Sequence, residues 1–370
     1  MPDNSSRRQW LRTTATALTG ISIAPSLFAI EKEKYRAAGI ILLNSNENAY
    51  GPSAATKKAM TEALVRSNRY ADDDIPVLKQ LIADHWQISR ENLLLGAGSS
   101  EILGLSSMLV SPVKGNIITA EPSYRVWNNQ AETFGLNFIR IPVSNDKTLD
   151  LAAMLSAINK DTRMMYICNP NNPVGTYVDD HLLRNFVIEC SKKCVVLVDE
   201  AYTEFADLPS LKDIAVTTPN VIVAKTFSKI YGLAGARVGY AIAHAGTIKK
   251  LSSFQPWSDM SLSVASCAAA SAALKDQAFV KDCREKTAKA REMCYQCFNE
   301  LGLDHIKSHT SFILFDIGKI GPDFSQKMMA KNIYVQYRDH FGGKWCRVSM
   351  GTIEEMEQFC SALKSIAGSI

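Results

Sequence analysis

Residues 221–240 have the sequence VIVAKTFSKIYGLAGARVGY, and the rest of the chain is organised around this stretch. Its apolar start, residues 221–224, predicts a buried strand. Lys229 follows between hydroxyl-bearing and small residues, and Arg237 stands eight positions further on. A lysine amine can form a Schiff base with an aldehyde, and an arginine can bind a phosphate nearby. The pattern therefore favours a site for pyridoxal phosphate, a cofactor that carries both groups.

Two alternatives apply to this stretch. A lysine that follows a strand is commonly a solvated loop residue, and Lys225, directly after the apolar run, competes with Lys229 as the anchor or is only a strand-end cation. A motif this short decides neither question by itself. The interpretation therefore depends on the other motifs of the chain.

Composition limits the class of protein. The 370 residues suit one large and one small domain, and a hydrophobic share of 46% is enough for a sizeable core. The formal net charge is +4, and no basic cluster is interleaved with aromatic residues, so the sequence indicates no nucleic-acid partner. The nine cysteines are scattered; Cys190 and Cys194 form a C-x3-C pair that no second pair completes, so we predict no metal site. This pattern is typical of small core thiols and of folding under reducing conditions.

The N-terminus resembles an export signal. Residues 6–12, SRRQWLR, precede a weakly apolar run from Ala15 to Ala29. A twin-arginine pair before such a run predicts a twin-arginine signal in residues 1–30 and an exported or periplasmic location. The alternative is an unstructured basic tail on a cytoplasmic protein. The run is too short and too polar for a stable membrane span, and no other stretch approaches one.

The order of the predicted elements indicates an α/β fold. Strands and helices alternate from about Leu93 to Tyr240, which predicts a mostly parallel sheet flanked by helices. After residue 311 the pattern changes to short strands, near 312–316, 333–337 and 346–350, and a final helix over 353–366, which predicts a smaller α+β domain. We therefore expect an N-terminal arm with part of the small domain over 31–70, a large domain over 71–260 and a small domain over 261–370.

Polar motifs follow several of the predicted strands. A glycine-rich turn over 96–101 precedes a helix and is a possible anion site. Tyr124 ends a later strand, the turn NPNNPVGT covers 169–176, and Asp199 ends a five-residue apolar strand. Open α/β sheets bind ligands at the carboxyl ends of their strands, so these motifs indicate one shared site.

Taken in order, the motifs resemble those of the class I and II (fold type I) pyridoxal phosphate-dependent aminotransferases, most closely the histidinol-phosphate aminotransferase branch. The resemblance extends from about Leu43 to the C-terminus. The motifs that carry it are NENAYGPS (46–53), RYAD (69–72), GAGSSE (96–101), EPSY (121–124), NPNNPVGT (169–176), VDEAY (198–202), TFSK (226–229), GLAGARVGY (232–240) and RVSMGT (347–352).

This resemblance implies a role for each polar residue around the cofactor ring. Lys229 forms the Schiff base and moves the proton. Asp199 pairs with the pyridine nitrogen, which makes the ring an electron sink. Asn172 and Tyr202 bind the phenolic oxygen. Tyr124 stacks on the ring.

Phosphate and substrate contacts are also implied. The phosphate lies on the backbone N–H groups of Ala97 and Gly98. The resemblance adds side chains around it: Thr226, Ser228, Arg237 and, from a second subunit, Tyr70. The protein is therefore expected to be a homodimer. Arg347 and Asn48 bind the substrate, whose carboxylate or phosphate Arg347 holds as a bidentate partner.

The chain departs from the family pattern in three respects. Gln336 stands where the family often has an arginine, with Arg338 two residues further on, so the family's second arginine contact to a phosphorylated substrate is missing at this position. Ala49 replaces a proline. An export signal is unusual for an enzyme of histidine biosynthesis.

The leading hypothesis is a transaminase that acts on small-molecule amino donors and 2-oxo acids. A pyridoxal phosphate-dependent decarboxylase of the phosphothreonine type, on the same fold, is the alternative. A non-catalytic ligand-binding protein is a third hypothesis, which the presence of Lys229, Asp199 and Arg237 disfavours.

Overall fold

The computed structural model of the protein describes residues 39–368. The predicted twin-arginine signal and the first part of the predicted arm lie outside these residues and stay predictions. Along the described chain, no helix combines the length and the hydropathy needed to cross a bilayer.

A central sheet dominates the larger part of the molecule. In the part of the chain that the structure describes, it has seven strands in the spatial order β2-β8-β7-β6-β5-β3-β4. The strands are β2 (Leu93–Gly96), β3 (Gly115–Glu121), β4 (Leu136–Pro142), β5 (Thr162–Cys168), β6 (Val195–Asp199), β7 (Val221–Thr226) and β8 (Gly239–Ala243). Strands β3 to β7 pair in parallel, and β8 is antiparallel to both of its neighbours, β7 and β2. The predicted mostly parallel sheet is confirmed, with β8 as its exception.

The apolar runs of the strands are explained by burial on both faces. In β7, Val221 and Val223 pack into one hydrophobic cluster, and Ile222 and Ala224 pack into another on the opposite face. Helices cover both faces: α1 (Ala54–Ala63), α2 (Asp74–Trp86), α3 (Ser99–Val110), α4 (Asn128–Thr133), α5 (Leu151–Ser156), α6 (Asp180–Ser191), α7 (Lys212–Thr217), α8 (Ala245–Ser252) and α9 (Val264–Lys275). A parallel sheet covered in this way needs apolar side chains at nearly every strand position.

A second, smaller body contains the C-terminal strands. Strands β11 (Gln336–His340), β12 (Gly343–Ser349) and β9 (Phe312–Asp316) form an antiparallel sheet. A short parallel pair joins β1 (Ile41–Leu42) to β10 (Ile333–Tyr334), so the start of the described chain lies beside its end. The helices here are α10 (Gln277–Glu300), α11 (Phe324–Met329) and α12 (Ile353–Ala367).

Two details of this body differ from the expectation. The strand predicted over 333–337 is divided at Val335, because β10 and β11 pair with different partners. The strand predicted over 346–350 begins earlier, at Gly343. The boundary expected at residue 260 stays a prediction, although α9 packs into the larger hydrophobic cluster through residues such as Cys267 and Ala270.

Candidate active site

A cavity of about 190 Å³ lies at the carboxyl ends of three parallel strands. Cys168, Asp199 and Thr226, the last residues of β5, β6 and β7, all line it. Parallel pairing brings these strand ends together, which is where open α/β sheets bind ligands. The predicted site residues that line this inner cavity are Tyr124, Asn172, Asp199, Tyr202, Thr226, Ser228, Lys229 and Arg237.

Lys229 follows β7, and its amine is buried in the inner cavity. The Nζ atom donates a hydrogen bond to the backbone oxygen of Asn46 at 3.0 Å. Burial lowers the pKa of this amine to about 8; the charge of Asp199 opposes the shift, and that of Arg347 adds to it. A far larger share of this amine than of an ordinary lysine is therefore neutral near physiological pH, and the neutral form is the one that acts as a nucleophile or a base.

Asp199 is a buried carboxylate with no cationic group of residues 39–368 at ion-pair distance. Its oxygens accept hydrogen bonds from the hydroxyl of Tyr166 at 3.2 Å and the N–H of Ala201 at 3.1 Å. Burial raises the pKa of Asp199 to about 6, and these two hydrogen bonds oppose that rise. The group is therefore still mostly ionised at neutral pH, and a protonated pyridine nitrogen would be a suitable partner.

Tyr202 lies in a hydrogen-bond network that runs from the inner cavity to Arg347. Its hydroxyl oxygen accepts from the side-chain amides of Asn46 at 2.9 Å and Asn172 at 3.4 Å. The Oδ1 atom of Asn172 accepts from Arg347 at 2.9 Å. Burial raises the pKa of the Tyr202 phenol far above its ordinary range. The hydroxyl stays protonated and can donate to an anionic phenolic oxygen.

Hydroxyl and guanidinium groups gather at the opposite end of the inner cavity. Thr226 Oγ1 donates to Ser228 Oγ at 2.9 Å, and the guanidinium of Arg237 lies 3.5 Å from the same oxygen. Arg237 also donates to the backbone oxygen of Ala97 at 3.2 Å. Gly98 has φ +82°, and a Cβ there would lie 2.4 Å from Arg237 Nη2, so only glycine fits beside this arginine.

Both predicted phosphate donors, the N–H groups of Ala97 and Gly98, have hydrogen-bond partners within the protein, and their role stays a prediction. The Ala97 N–H donates to Glu101 Oε2 at 2.6 Å, and the Gly98 N–H donates to the oxygen of Gly96 at 2.8 Å. Both donors are already used within the protein. Ser99 and Ser100, the first residues of α3, line the inner cavity instead. The N-terminus of this helix is therefore a candidate phosphate site, because the helix dipole favours an anion there.

Asn48, predicted to bind substrate, lines neither cavity, and its role stays a prediction. Its side-chain amide donates to the oxygen of Ile230 at 2.6 Å, and its Oδ1 atom accepts from the N–H of Tyr50 at 3.0 Å. These contacts fasten the loop to the turn after Lys229, and the side chain does not line the cavity. Asn46, which the sequence reasoning missed, does line it. Both asparagines belong to one polar loop, and the sequence gives no sign of which one faces inward.

Tyr70 and Lys225 also lie away from the inner cavity. Tyr70 is 72% exposed, with its ring centroid 5.7 Å from that of Trp257. The Lys225 amine is buried elsewhere, 2.8 Å from Glu204 and 3.4 Å from Glu200. Lys225 is therefore the weaker candidate for a cofactor anchor, because its amine does not face the cavity.

An outer cavity of about 530 Å³ adjoins the inner one and shares Lys229, Tyr124 and Tyr202 with it. Its wall includes one face of β11 and the paired residue of β12, where Gln336 is directly opposite Arg347. The lining residues from these strands and the facing loop include Arg125, Gln336, Arg338, Asp339, His340 and Arg347, and Asp339 is paired with Lys344 at 2.7 Å. Three buried atoms of this wall have no hydrogen-bond partner among the described residues: Gln336 Oε1, His340 Nε2 and Arg347 Nε. The wall therefore offers unused polar groups to a ligand.

Positive charge collects in the outer cavity. Burial lowers the pKa of Arg347 to about 10, and burial together with the charge of Arg125 lowers the pKa of Arg338. Burial, together with the positive charges of Arg125 and Arg338, lowers the pKa of His340 to about 4. His340 is therefore neutral at pH 7. No carboxylate of residues 39–368 forms an ion pair with Arg338 or Arg347, so this wall suits an anionic ligand.

The inner cavity fits pyridoxal phosphate in three respects. A buried, unpaired carboxylate is available for the ring nitrogen, and a protonated phenol is available for the ring's phenolic oxygen. Hydroxyl groups, a guanidinium and a helix N-terminus are available for the phosphate. In contrast, residues 39–368 contain no cluster of histidine, cysteine or acidic side chains arranged to hold a metal ion.

Known proteins are similar to this chain in sequence and in fold. The family model for class I and II aminotransferases matches residues 38–363. The histidinol-phosphate aminotransferase of Caldicellulosiruptor saccharolyticus is 35% identical over 97% of this chain and 99% of its own length. That of Moorella thermoacetica is 35% identical over 88% of this chain and 85% of its own. A crystal structure of histidinol-phosphate aminotransferase from Sinorhizobium meliloti in complex with pyridoxal 5′-phosphate superposes with a TM-score of 0.84, at 28% identity, over 90% of this chain and 93% of that one.

The depressed pKa of Lys229 predicts how the protein takes up its cofactor. The rate of covalent attachment of pyridoxal phosphate to the apoprotein should rise with pH and reach half of its maximum near pH 8, because the neutral amine reacts. Replacing Arg347 with Met removes a positive charge that holds this pKa down, so the midpoint should move to higher pH. Stopped-flow absorbance over a series of pH values measures the rate.

Arg163→Met, a half-buried arginine that does not line the cavity, is the matched control and should leave the midpoint unchanged. A midpoint above about pH 10, the ordinary lysine value, would contradict the assignment of the buried amine.

Proposed function

The chain belongs to the class I and II aminotransferases, and from this premise we propose that it exchanges the amino group of histidinol phosphate with 2-oxoglutarate. It is a pyridoxal phosphate-dependent transaminase. The observation that carries the choice of substrates is the outer cavity beside Lys229, whose guanidinium groups at Arg338 and Arg347 have no carboxylate partner among residues 39–368. Its relatives from C. saccharolyticus and M. thermoacetica are named for the same amino donor.

In the proposed mechanism, each inner-cavity residue has one task. Pyridoxal phosphate, when bound, supplies an aldehyde for the amino group and a ring that accepts the electron pair released when the α-carbon loses its proton. Lys229 holds the cofactor and then moves the proton with its Nζ atom, for which a pKa of about 8 is suitable. Asp199 keeps a proton on the ring nitrogen, and Tyr202 donates to the phenolic oxygen.

Arg347 binds the anionic group nearest to the reacting carbon. Its Nη1 atom is held by Asn172 Oδ1 at 2.9 Å, which orients the guanidinium toward the shared part of the two cavities. Its Nε atom has no hydrogen-bond partner among the described residues. A carboxylate or phosphate oxygen would supply that partner and would also neutralise a buried charge.

Arg338 and Arg125 bind the more distant anionic group. Arg125 is paired with Glu121 at 2.6 Å, whereas Arg338 donates only to the backbone oxygen of Tyr337 at 3.2 Å. Histidinol phosphate has a single anionic group, its phosphate, which would lie between Arg338 and Arg347, whereas 2-oxoglutarate would place its α-carboxylate at Arg347 and its side-chain carboxylate at Arg338. Gln336, which replaces a family arginine, would then contribute a neutral hydrogen bond, and the charge comes from Arg338.

A donor screen tests the proposed reaction. Purified holoenzyme is mixed with 2-oxoglutarate and either histidinol phosphate or an aromatic amino acid, and glutamate is measured. We expect histidinol phosphate to have the highest kcat/KM. A clear preference for aromatic amino acids would contradict the proposed donor. Carbon dioxide release without glutamate would indicate a decarboxylase, and cofactor binding without either product would favour a non-catalytic protein.

Arg338→Met tests the distant anion contact. The variant should raise KM for histidinol phosphate and for 2-oxoglutarate by about tenfold, because a charge-assisted hydrogen bond is lost. Its KM for a neutral aromatic amino acid should change much less. Lys327→Met, which removes a surface cation paired with Asp323 and lining neither cavity, is the matched control. Equal changes in KM for anionic and neutral substrates would contradict the assignment.

We further propose that the enzyme is a homodimer and that Tyr70 reaches the phosphate bound by the second subunit. Tyr70 is 72% exposed, and Trp257 beside it is 60% exposed. Val65, a few residues earlier, is 84% exposed. Large apolar side chains exposed together are typical of an interaction surface, and a second copy of the chain would cover them.

Subunit complementation tests this arrangement. Tyr70→Ala should weaken cofactor binding, and Lys229→Ala should abolish transamination. In a mixed dimer, the subunit with Tyr70→Ala keeps its own Lys229 and receives an intact Tyr70 from its partner. Mixing the two variants should therefore restore transamination at limiting cofactor to as much as about a quarter of the wild-type value, since random mixing makes half of the dimers mixed, with one intact site each. No recovery in dimers shown to have exchanged subunits would contradict a contribution across the interface.

A further inference from the structure

Outside the two cavities, the ammonium of Lys225 lies in a buried cluster with Glu200, Glu204 and Thr203. Lys225 is 1% exposed, and its Nζ atom lies 2.8 Å from Glu204 and 3.4 Å from Glu200. The same amine donates to Thr203 Oγ1 at 2.7 Å and lies 4.9 Å from the centroid of the Trp86 ring. A buried charge is costly unless it is paired and hydrogen-bonded, and here every partner but Trp86 comes from one short turn.

That turn, residues 199–204, also carries three residues of the inner cavity. Asp199, Ala201 and Tyr202 line the cavity. Glu200, Thr203 and Glu204, which are interleaved with them, contact Lys225 instead. One set of side chains of the turn therefore lines the cavity, and the other set contacts the buried ammonium of Lys225.

We propose that Lys225 is a positioning residue for the cofactor site: its ammonium fixes the turn so that Asp199 and Tyr202 face the inner cavity. The strand geometry supports this assignment. Asp199 pairs with Ala224 in the register of β6 and β7, and the Glu200 N–H donates to the oxygen of Ala224 at 3.0 Å. Lys225 follows Ala224 and precedes Thr226, so its side chain points to the opposite face of the sheet from Thr226.

The members of the cluster carry charges that stabilise one another, and hydrogen bonds link them to neighbouring elements. Burial alone would lower the pKa of Lys225, but the charges of Glu204 and Glu200 outweigh it and raise the pKa above its ordinary value. Glu200 Oε1 also accepts from the N–H of Leu211 at 2.8 Å, which ties the turn to the start of α7. The other titratable groups around the cluster are His85, Lys212, Tyr231 and Tyr240. The turn is thus held from β7 and from the segment before α7, and Trp86 of α2 contacts the ammonium itself.

The test must separate positioning from stability. Removing Lys225 alone would leave two unpaired carboxylates and could unfold the protein, whereas neutral replacement of a whole buried cluster is often harmless to stability. We therefore choose the triple variant Lys225→Met/Glu200→Gln/Glu204→Gln and the single variant Glu204→Gln. Glu204 is the most exposed member of the cluster, with 17% of its side chain accessible. Cofactor Kd is measured by absorbance titration of the apoprotein, and Tm by thermal unfolding.

We expect both variants to fold with a Tm close to that of the wild type and to bind pyridoxal phosphate about tenfold more weakly, because loss of a supporting contact displaces the groups that hold the ligand. Lys364→Met, which removes the exposed ion pair between α12 and Glu300 of α10, is the control and should leave Kd unchanged. A folded variant of either kind with the wild-type Kd would overturn the inference. If the triple variant does not fold, Glu204→Gln decides by the same criterion.

This inference rests on the cofactor site described above, and the two can fail separately. A wild-type protein that binds no pyridoxal phosphate would refute the proposed function itself. A wild-type protein that binds it, with folded variants that bind it equally well, would refute only the positioning role of Lys225.

Discussion

The burial of Asp199 is the constraint on which the rest of the site depends. Its carboxylate is 3% exposed at the end of β6, and the described chain offers it two hydrogen bonds but no ion pair. A carboxylate buried in this way is stabilised either by taking up a proton or by gaining a cationic partner. Its pKa of about 6 leaves it mostly ionised at neutral pH. A protonated pyridine nitrogen would be such a cationic partner. The inner cavity then has the remaining groups at the correct ends: a phenol and an amide on one side, and hydroxyls and a guanidinium on the other.

The sheet explains why so much of this arrangement could be predicted from the sequence. Strands buried on both faces are continuous apolar runs, such as residues 221–224, and they end at polar residues that parallel pairing brings to one edge. Asp199, Thr226 and Lys229 are therefore brought together by the order of the elements alone. The antiparallel strand β8 was harder to predict, because it follows β7 through a loop with no helix and its short apolar run, 241–243, has no distinct pattern.

Other residues of the site could not be predicted because their roles depend on three-dimensional contacts. The N–H of Ala97 is used by the side chain of Glu101, four residues further on, and this makes Ser99 and Ser100 candidate phosphate donors as well. Asn46 faces the cavity while Asn48 fastens the loop, although the two are chemically identical. The alternation of Gln336, Arg338 and His340 along β11 was a usable signal of one polar face. Only the register with Arg347, however, shows that this face borders the cavity.

The central proposal is that Lys229, and not the more deeply buried Lys225, carries the cofactor. The most direct measurement is to load the protein with pyridoxal phosphate, reduce it with borohydride and locate the modified lysine by peptide mass spectrometry. The account predicts a stoichiometric modification of Lys229, whose neutral amine lies in the inner cavity, and none of Lys225, whose ammonium is held by Glu200 and Glu204. Modification of Lys225, or of neither residue, would contradict it.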